Sequence, residues 1–134
     1  MPKTVTVTAN RQLNAPPDRV YRAWTDPDEV RRWFKPARLI MNPHVDGLWH
    51  SDTEWEGKHW PHYGRFIRLE RPRLIEETWM SESTHGLETL LRVEFEPKGG
   101  GTQLTLTHSG LPDDEAENHR KGWEEILSTL DELR

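Results

Sequence analysis

The chain has 134 residues, with 18 basic and 23 acidic side chains, a net charge of −5, seven tryptophans and no cysteine. This composition excludes disulfides, thiolate metal sites and cysteine nucleophiles, and without a Lys/Arg-rich block it offers nucleic acid no basic face. No stretch approaches the roughly 18 apolar residues of a membrane span, and the opening MPKTVTVTAN lacks the apolar core of a signal peptide, so one cytoplasmic domain covering residues 1–134 is expected.

TVTVTANRQL alternates β-branched and polar residues, with Val5, Val7 and Ala9 on one face, and predicts a strand. The paired prolines of NAPPDRVYRAW suit a helix start and nothing later in a helix, and Val20, Ala23 and Trp24 follow at helical spacing. TDPDEVRRWF predicts a second short helix, with Asp26 as N-cap, Pro27 in the first turn, Glu29 completing a capping box, and Val30, Trp33 and Phe34 as its apolar face.

From Arg38 to about His108 the pattern is strands and turns. ARLIMNPHV precedes a turn at Asp46-Gly47, LWHSDTEW alternates after it, HYGRFIRLE is the next strand, and RLIEETWM follows Pro72. Trp55–Tyr63, WEGKHWPHY, reads as a loop, either a lid over a cavity or ordinary solvated chain. LETLLRVEFEP places Leu91, Val93 and Phe95 on one face, KGGGT is a hairpin turn, and TQLTLTHSG aligns Leu104, Leu106 and His108. Such short connections predict antiparallel pairing.

From Pro112 onward the period becomes helical, with Trp123, Ile126, Leu127, Leu130 and Leu133 on one stripe. About 23 residues give a helix roughly 34 Å long. Gly122 lies inside it, where a glycine costs about 1 kcal/mol against alanine. Beside Trp123 it reads as a point where the helix backbone closely approaches a neighbour. Only this helix is long enough to cover the apolar sheet face, so the expected class is α+β: a curved antiparallel sheet of six to seven strands around a long C-terminal helix, with two short helices between strands one and two.

Four segments in this order, APPDRVYRAWTDPDEVRRWF (Ala15–Phe34), GRFIRLERPRLIEETW (Gly64–Trp79), GGTQLTLTHSGLP (Gly100–Pro112) and HRKGW (His119–Trp123), give the chain its family likeness. It resembles the SRPBCC superfamily, START-like and birch-pollen-allergen-like. Within it, the chain is most similar to the group named after the C-terminal domain of the activator of the ninety-kilodalton heat-shock-protein ATPase. The resemblance implies a helix-grip fold with a cavity between sheet and terminal helix. It also implies a function among ligand binding, transfer, cyclase chemistry and chaperone partnership, which the fold does not settle. Two positions depart from the family pattern. Asn42–Gly47 replaces an Asp-Leu-Arg-x-Gly-Gly-like stretch, and Glu77 shares a strand face with Ile75 and Trp79, where relatives look apolar.

If Trp33, Trp49, Trp79 and Trp123 converge, they make an aromatic cage suited to a flat apolar ligand; otherwise they form a solid core. Thr53, Leu91, Val93, Leu106, His108 and Leu127 complete the candidate ligand-binding set on the inward faces. His108 reads either as a ligand-bonding or acid–base group or as a satisfied structural histidine. No nucleophile elbow, P-loop or dinucleotide fingerprint occurs, leaving Glu77 and His108 as the one acid–base pair to examine, with Glu77 inward unless a β-bulge turns it out. His59 and His62, even with His44 or His50, lack a zinc-site spacing, so neither metal nor cofactor is expected.

The leading expectation is a protein that binds a hydrophobic small molecule, aromatic or lipid-like. The alternatives are a cyclase- or hydrolase-type enzyme using the same cavity and a protein-interaction module. Chaperone activation is set aside among these, because 134 residues leave no room for the separate N-terminal domain of eukaryotic activators.

Overall fold

The computed structural model describes residues 3–133. Among these, seven strands form one antiparallel sheet: β1 (Thr4–Leu13), β2 (Arg38–Met41), β3 (Leu48–Trp55), β4 (Lys58–Glu70), β5 (Leu74–Ser81), β6 (Thr89–Lys98) and β7 (Gly101–Pro112). The spatial order β1-β7-β6-β5-β4-β3-β2 makes a meander from β2 to β7, and β1 pairs back onto β7. The sheet curves around the C-terminal helix α3 (Ala116–Ser128), and two short helices, α1 (Pro17–Thr25) and α2 (Pro27–Trp33), join β1 to β2. This is the α+β helix-grip fold.

The helix ends follow their local chemistry. Pro17 opens α1, where its missing N–H costs nothing. The Asp26 side chain caps α2 by accepting from the Asp28 amide. Glu29 does not complete the expected capping box; its carboxylate turns back to Arg19 of α1 at 3.2 Å, tying the two helices together.

Two expectations need correction. Trp55–Tyr63 is neither lid nor loop. Trp55 pairs with Lys58 across the turn Glu56–Gly57, and both turn residues have positive φ (51° and 76°). That is the geometry of a tight hairpin between twisted strands, so β4 begins at Lys58 and runs through His62. The terminal helix is also shorter than its periodicity suggests. Its α-helical part has 13 residues, about 20 Å, flanked by 3-10 turns at Asp113–Glu115 and Thr129–Glu132.

The core lies between the concave sheet face and the three helices. Leu91, Val93, Leu104 and Leu106 from the central strands meet Trp123, Leu127 and Leu130 from the C-terminal segment, all buried. Burying one such side chain is worth about 1.5–3 kcal/mol. The apolar stripe read from the sequence therefore does hold the terminal segment to the sheet.

Candidate ligand-binding site

Strand parity decides what faces inward. On β5, Ile75, Glu77 and Trp79 point to the concave side, while Glu76 points outward to Arg68 and Arg92. A β-bulge does occur here, but on the partner strand: β4 shifts register between Phe66 and Arg68. The shift lets Arg68 meet Glu76 outside while Phe66 stays opposite Glu77 inside. Glu77 thus keeps its inward parity and is 8% exposed.

The cavity lies between the β2–β5 half of the sheet and the α1–α2 pair, with α3 contributing Trp123. Its volume is about 60 Å³. At about 10–15 Å³ per water, that is room for roughly four heavy atoms, far below the ~300 Å³ of pockets for drug-sized ligands. Five of the seven tryptophans line it. Trp49, Trp79 and Trp123 form a continuous row, each neighbouring pair 5.0 Å apart between ring centroids. Trp24 and Trp33 form a second aromatic group at 4.9 Å, extended by Phe34. The half-buried members, Trp33, Phe34, Leu39 and Met41, belong to α2, its C-cap and β2, so the cavity opens there.

Gly64 makes the row possible. A Cβ at this position would meet the Thr78 carbonyl oxygen at 2.0 Å and the Trp49 indole nitrogen at 2.4 Å. The Trp49 ring lies over bare backbone, an arrangement only glycine permits.

Two side chains on the lining are polar apart from the indoles, Ser51 and Glu77. Among the described residues, no hydrogen bond or ion pair reaches Glu77. Burial alone pushes its carboxyl up to about 8, because nothing nearby compensates the lost hydration of the charged form.

His108 has the opposite environment. It is fully buried, and its ring is edge-on to Trp79 and Trp123. The Trp123 indole N–H donates to His108 Nδ1 at 3.0 Å. Since Nδ1 accepts, the proton sits on Nε2, which donates to Thr89 Oγ1 at 2.7 Å. Thr89 in turn donates to the Trp79 carbonyl oxygen at 2.5 Å. Burial, reinforced by His119, pushes His108 down to about 3. Burial does the same to His62, which packs against Trp79, bringing it to about 4.

Of the residues singled out from sequence, Trp33, Trp49, Trp79, Trp123 and Glu77 meet at the cavity. Leu91, Val93, Leu106 and Leu127 lie in the core beside it. His108 sits behind Trp79 and Trp123, and Thr53 is opposite Trp60 toward the β3–β4 turn, away from the cavity. Glu77 and His108 are not brought together: Leu91 of β6 pairs with both and separates them. The sequence reading missed Trp24, Val30, Phe34, Leu39, Met41, Ser51 and Phe66 as cavity residues. The alternation of Leu39 with Met41 was a usable signal; Trp24 and Phe34 carried only helical spacing, which serves core and cavity alike. Gly122 also differs from expectation. A Cβ there would meet nothing within 4 Å, so it permits no close approach.

The family model described as Activator of Hsp90 ATPase homolog 1-like protein matches residues 14–134. The chain belongs to this family. Solved structures agree. Protein CV1439 from Chromobacterium violaceum is 26% identical with a TM-score of 0.81, the match covering 94% of each chain. Mll3558 from Rhizobium loti is 25% identical with a TM-score of 0.81, covering 96% of each. PFC0360w, an HSP90 activator from Plasmodium falciparum, has a TM-score of 0.78 at 21% identity, covering 93% of this chain and 92% of that one, and shares the fold. No curated protein matches the chain. Among the described residues, no helix of this family member is long and apolar enough to cross a membrane. Nor does any group of three or more His, Cys, Asp or Glu side chains gather to hold a metal ion.

Proposed function

We propose that the protein binds a small hydrophobic molecule in the indole-lined cavity, as a single cytoplasmic domain without a resident cofactor. One observation carries the reading: five tryptophans, scattered from position 24 to 123, converge on one hollow that the surrounding core leaves unfilled. Native interiors are packed to crystal-like density, so an aromatic-lined void opening to solvent is a place for a ligand rather than a packing accident. Trp33, Trp49, Trp79 and Trp123 form the contact surface, Leu91, Val93, Leu106 and Leu127 back it from the core, and the His108–Trp123 bond fixes one indole in place. Thr53 has no part in this assignment.

The volume limits the occupant. Roughly four heavy atoms fit inside, so a larger ligand buries one end and passes the rest outward between α2 and β2. Titrating small apolar compounds of increasing length while following tryptophan emission tests this. A saturable shift that weakens in Trp33→Ala is expected. Emission that no compound in the series alters would overturn the reading.

The enzyme alternative has less support, because the Glu77–His108 pair is not assembled and both His108 nitrogens are already bonded. Chaperone activation belongs to PFC0360w, a fold relative at 21% identity, and is not part of this proposal.

A further inference from the structure

Given a cavity that binds small molecules, as proposed above, its chemistry narrows the ligand class. We infer that the occupant is a small organic ammonium cation, its alkyl groups against the indoles and its positive charge beside Glu77. Three observations converge. The single ionisable side chain on the lining is a carboxyl, more than nine-tenths buried, with no hydrogen-bond or ion-pair partner among the described residues. The surface around it is indole, whose negative π-face attracts a cation most strongly among aromatic side chains. And the enclosed room, roughly four heavy atoms, is the size of a trimethylammonium head.

The competing ligand classes fit less well. Among the described residues no Lys, Arg or His lines the cavity, so an anion finds hydrogen-bond donors in the unpartnered indole N–H groups of Trp24, Trp49 and Trp79 but no counter-charge, and is repelled once Glu77 ionises. A purely apolar occupant leaves a buried carboxyl unpaired, which costs free energy. A cation satisfies the carboxylate and the π-faces together. The chain's net charge of −5 draws cations toward it as well.

Binding of a permanent cation is then coupled to proton loss from Glu77. Its cross-strand partners, Phe66 of β4 and Leu91 of β6, are neutral, and so are the described side chains that share the cavity lining with it from β2, β3, α1, α2 and α3. The nearby histidines, His62 and His108, lie against Trp79 and stay neutral above their lowered values of about 4 and about 3. Glu77 alone therefore sets the pH dependence.

The probes are choline and 3,3-dimethylbutan-1-ol, which share a shape and differ in charge. Calorimetric titration at about pH 9, above the Glu77 range, should show choline binding at least about tenfold more tightly than the alcohol. The ratio should fall at about pH 6 as Glu77 takes up its proton, and in Glu77→Gln should stay at a reduced value that does not change with pH, the part the indoles supply. The alcohol binding as well as choline at the higher pH overturns the cation inference while leaving the apolar-cavity reading intact. Neither compound binding overturns the cation inference, while the apolar-cavity reading is decided by the emission series above. A preference for choline at about pH 9 that is as large in Glu77→Gln as in the wild-type chain, or that does not change with pH in the wild-type chain, shows that Glu77 does not hold the cation. The wild-type pH series decides the matter even where the variant fails to fold.

Discussion

Two titratable side chains are buried on the same concave sheet face, and their hydrogen-bonding surroundings differ. His108 on β7 has a donor and an acceptor in place, and its partners Trp123 and Thr89 are themselves anchored to α3 and to the β5 backbone. Glu77, two strands away on β5, has no hydrogen-bond or ion-pair partner among the described residues and sits on an open cavity. A buried polar group with complete hydrogen bonds contributes to the fold, whereas one without them costs stability that packing elsewhere must offset. The region around His108 therefore reads as structure, and the region around Glu77, on the function proposed above, as the place for a ligand.

The largest effect expected of this contrast is at His108. His108→Ala empties a fully buried position and leaves the Trp123 indole N–H without its acceptor. Destabilisation of about 3–4 kcal/mol should follow in urea unfolding. A loss below about 1 kcal/mol would mean the hydrogen-bond chain is not a structural element, and the contrast would collapse.

Titration sharpens the comparison, because the two groups act in opposite directions. The folded chain keeps the Glu77 proton up to about 8, whereas an unfolded glutamate releases it near about 4.3. In between, the folded state holds the extra proton, so stability falls as pH rises, by about 1.4 kcal/mol per unit. For His62 and His108 the unfolded chain takes up protons below about 6.5, while the folded chain resists down to about 4 and about 3. Stability therefore falls on acidification. The two limbs meet near about pH 6.5, with a loss of about 2 kcal/mol from there to about pH 8. Glu77→Gln should remove that alkaline decline and steepen the acid limb between about pH 4.3 and about pH 6.5, where Glu77 opposes the histidines, as denaturation at closely spaced pH values will show. A decline of the same size in the variant would assign it to another group.

Much of this architecture was legible in the sequence, for identifiable reasons. Period-two alternation from Thr4 to Leu13 and from Thr89 to Lys98 marks strands with one wet face, and Asp26-Pro27 marks a helix start through capping chemistry alone. Glu77 was legible as an anomaly, a carboxylate in register with Ile75 and Trp79. The β3–β4 hairpin was not. Histidine, tryptophan and proline at positions 59–62 blur the alternation, and Glu56-Gly57 forms a tight turn that the surrounding polar residues disguise as longer loop. The cavity's true position was also hidden. Helical spacing places Trp24 and Trp33 on apolar faces but does not say whether those faces meet a sheet or border a void. That depends on where the α1–α2 pair lands on the curved sheet, which is a non-local property.

The smallest effect concerns the two glycines beside tryptophans. Gly64 is required by contact, since a methyl group there would collide with the Thr78 carbonyl and the Trp49 ring. Gly122, next to Trp123, has open space where its Cβ would be and φ in the ordinary helical range, so nothing in the folded chain demands glycine. Gly122→Ala should raise stability by about 0.5–1 kcal/mol, the usual gain in a helix interior, because alanine loses less backbone freedom on folding. Thermal unfolding of the single variant measures this directly. Destabilisation instead would show that the added methyl displaces the Trp123 indole or a neighbouring side chain, and would place Gly122 among the residues that shape the cavity rather than among those that merely permit a helix.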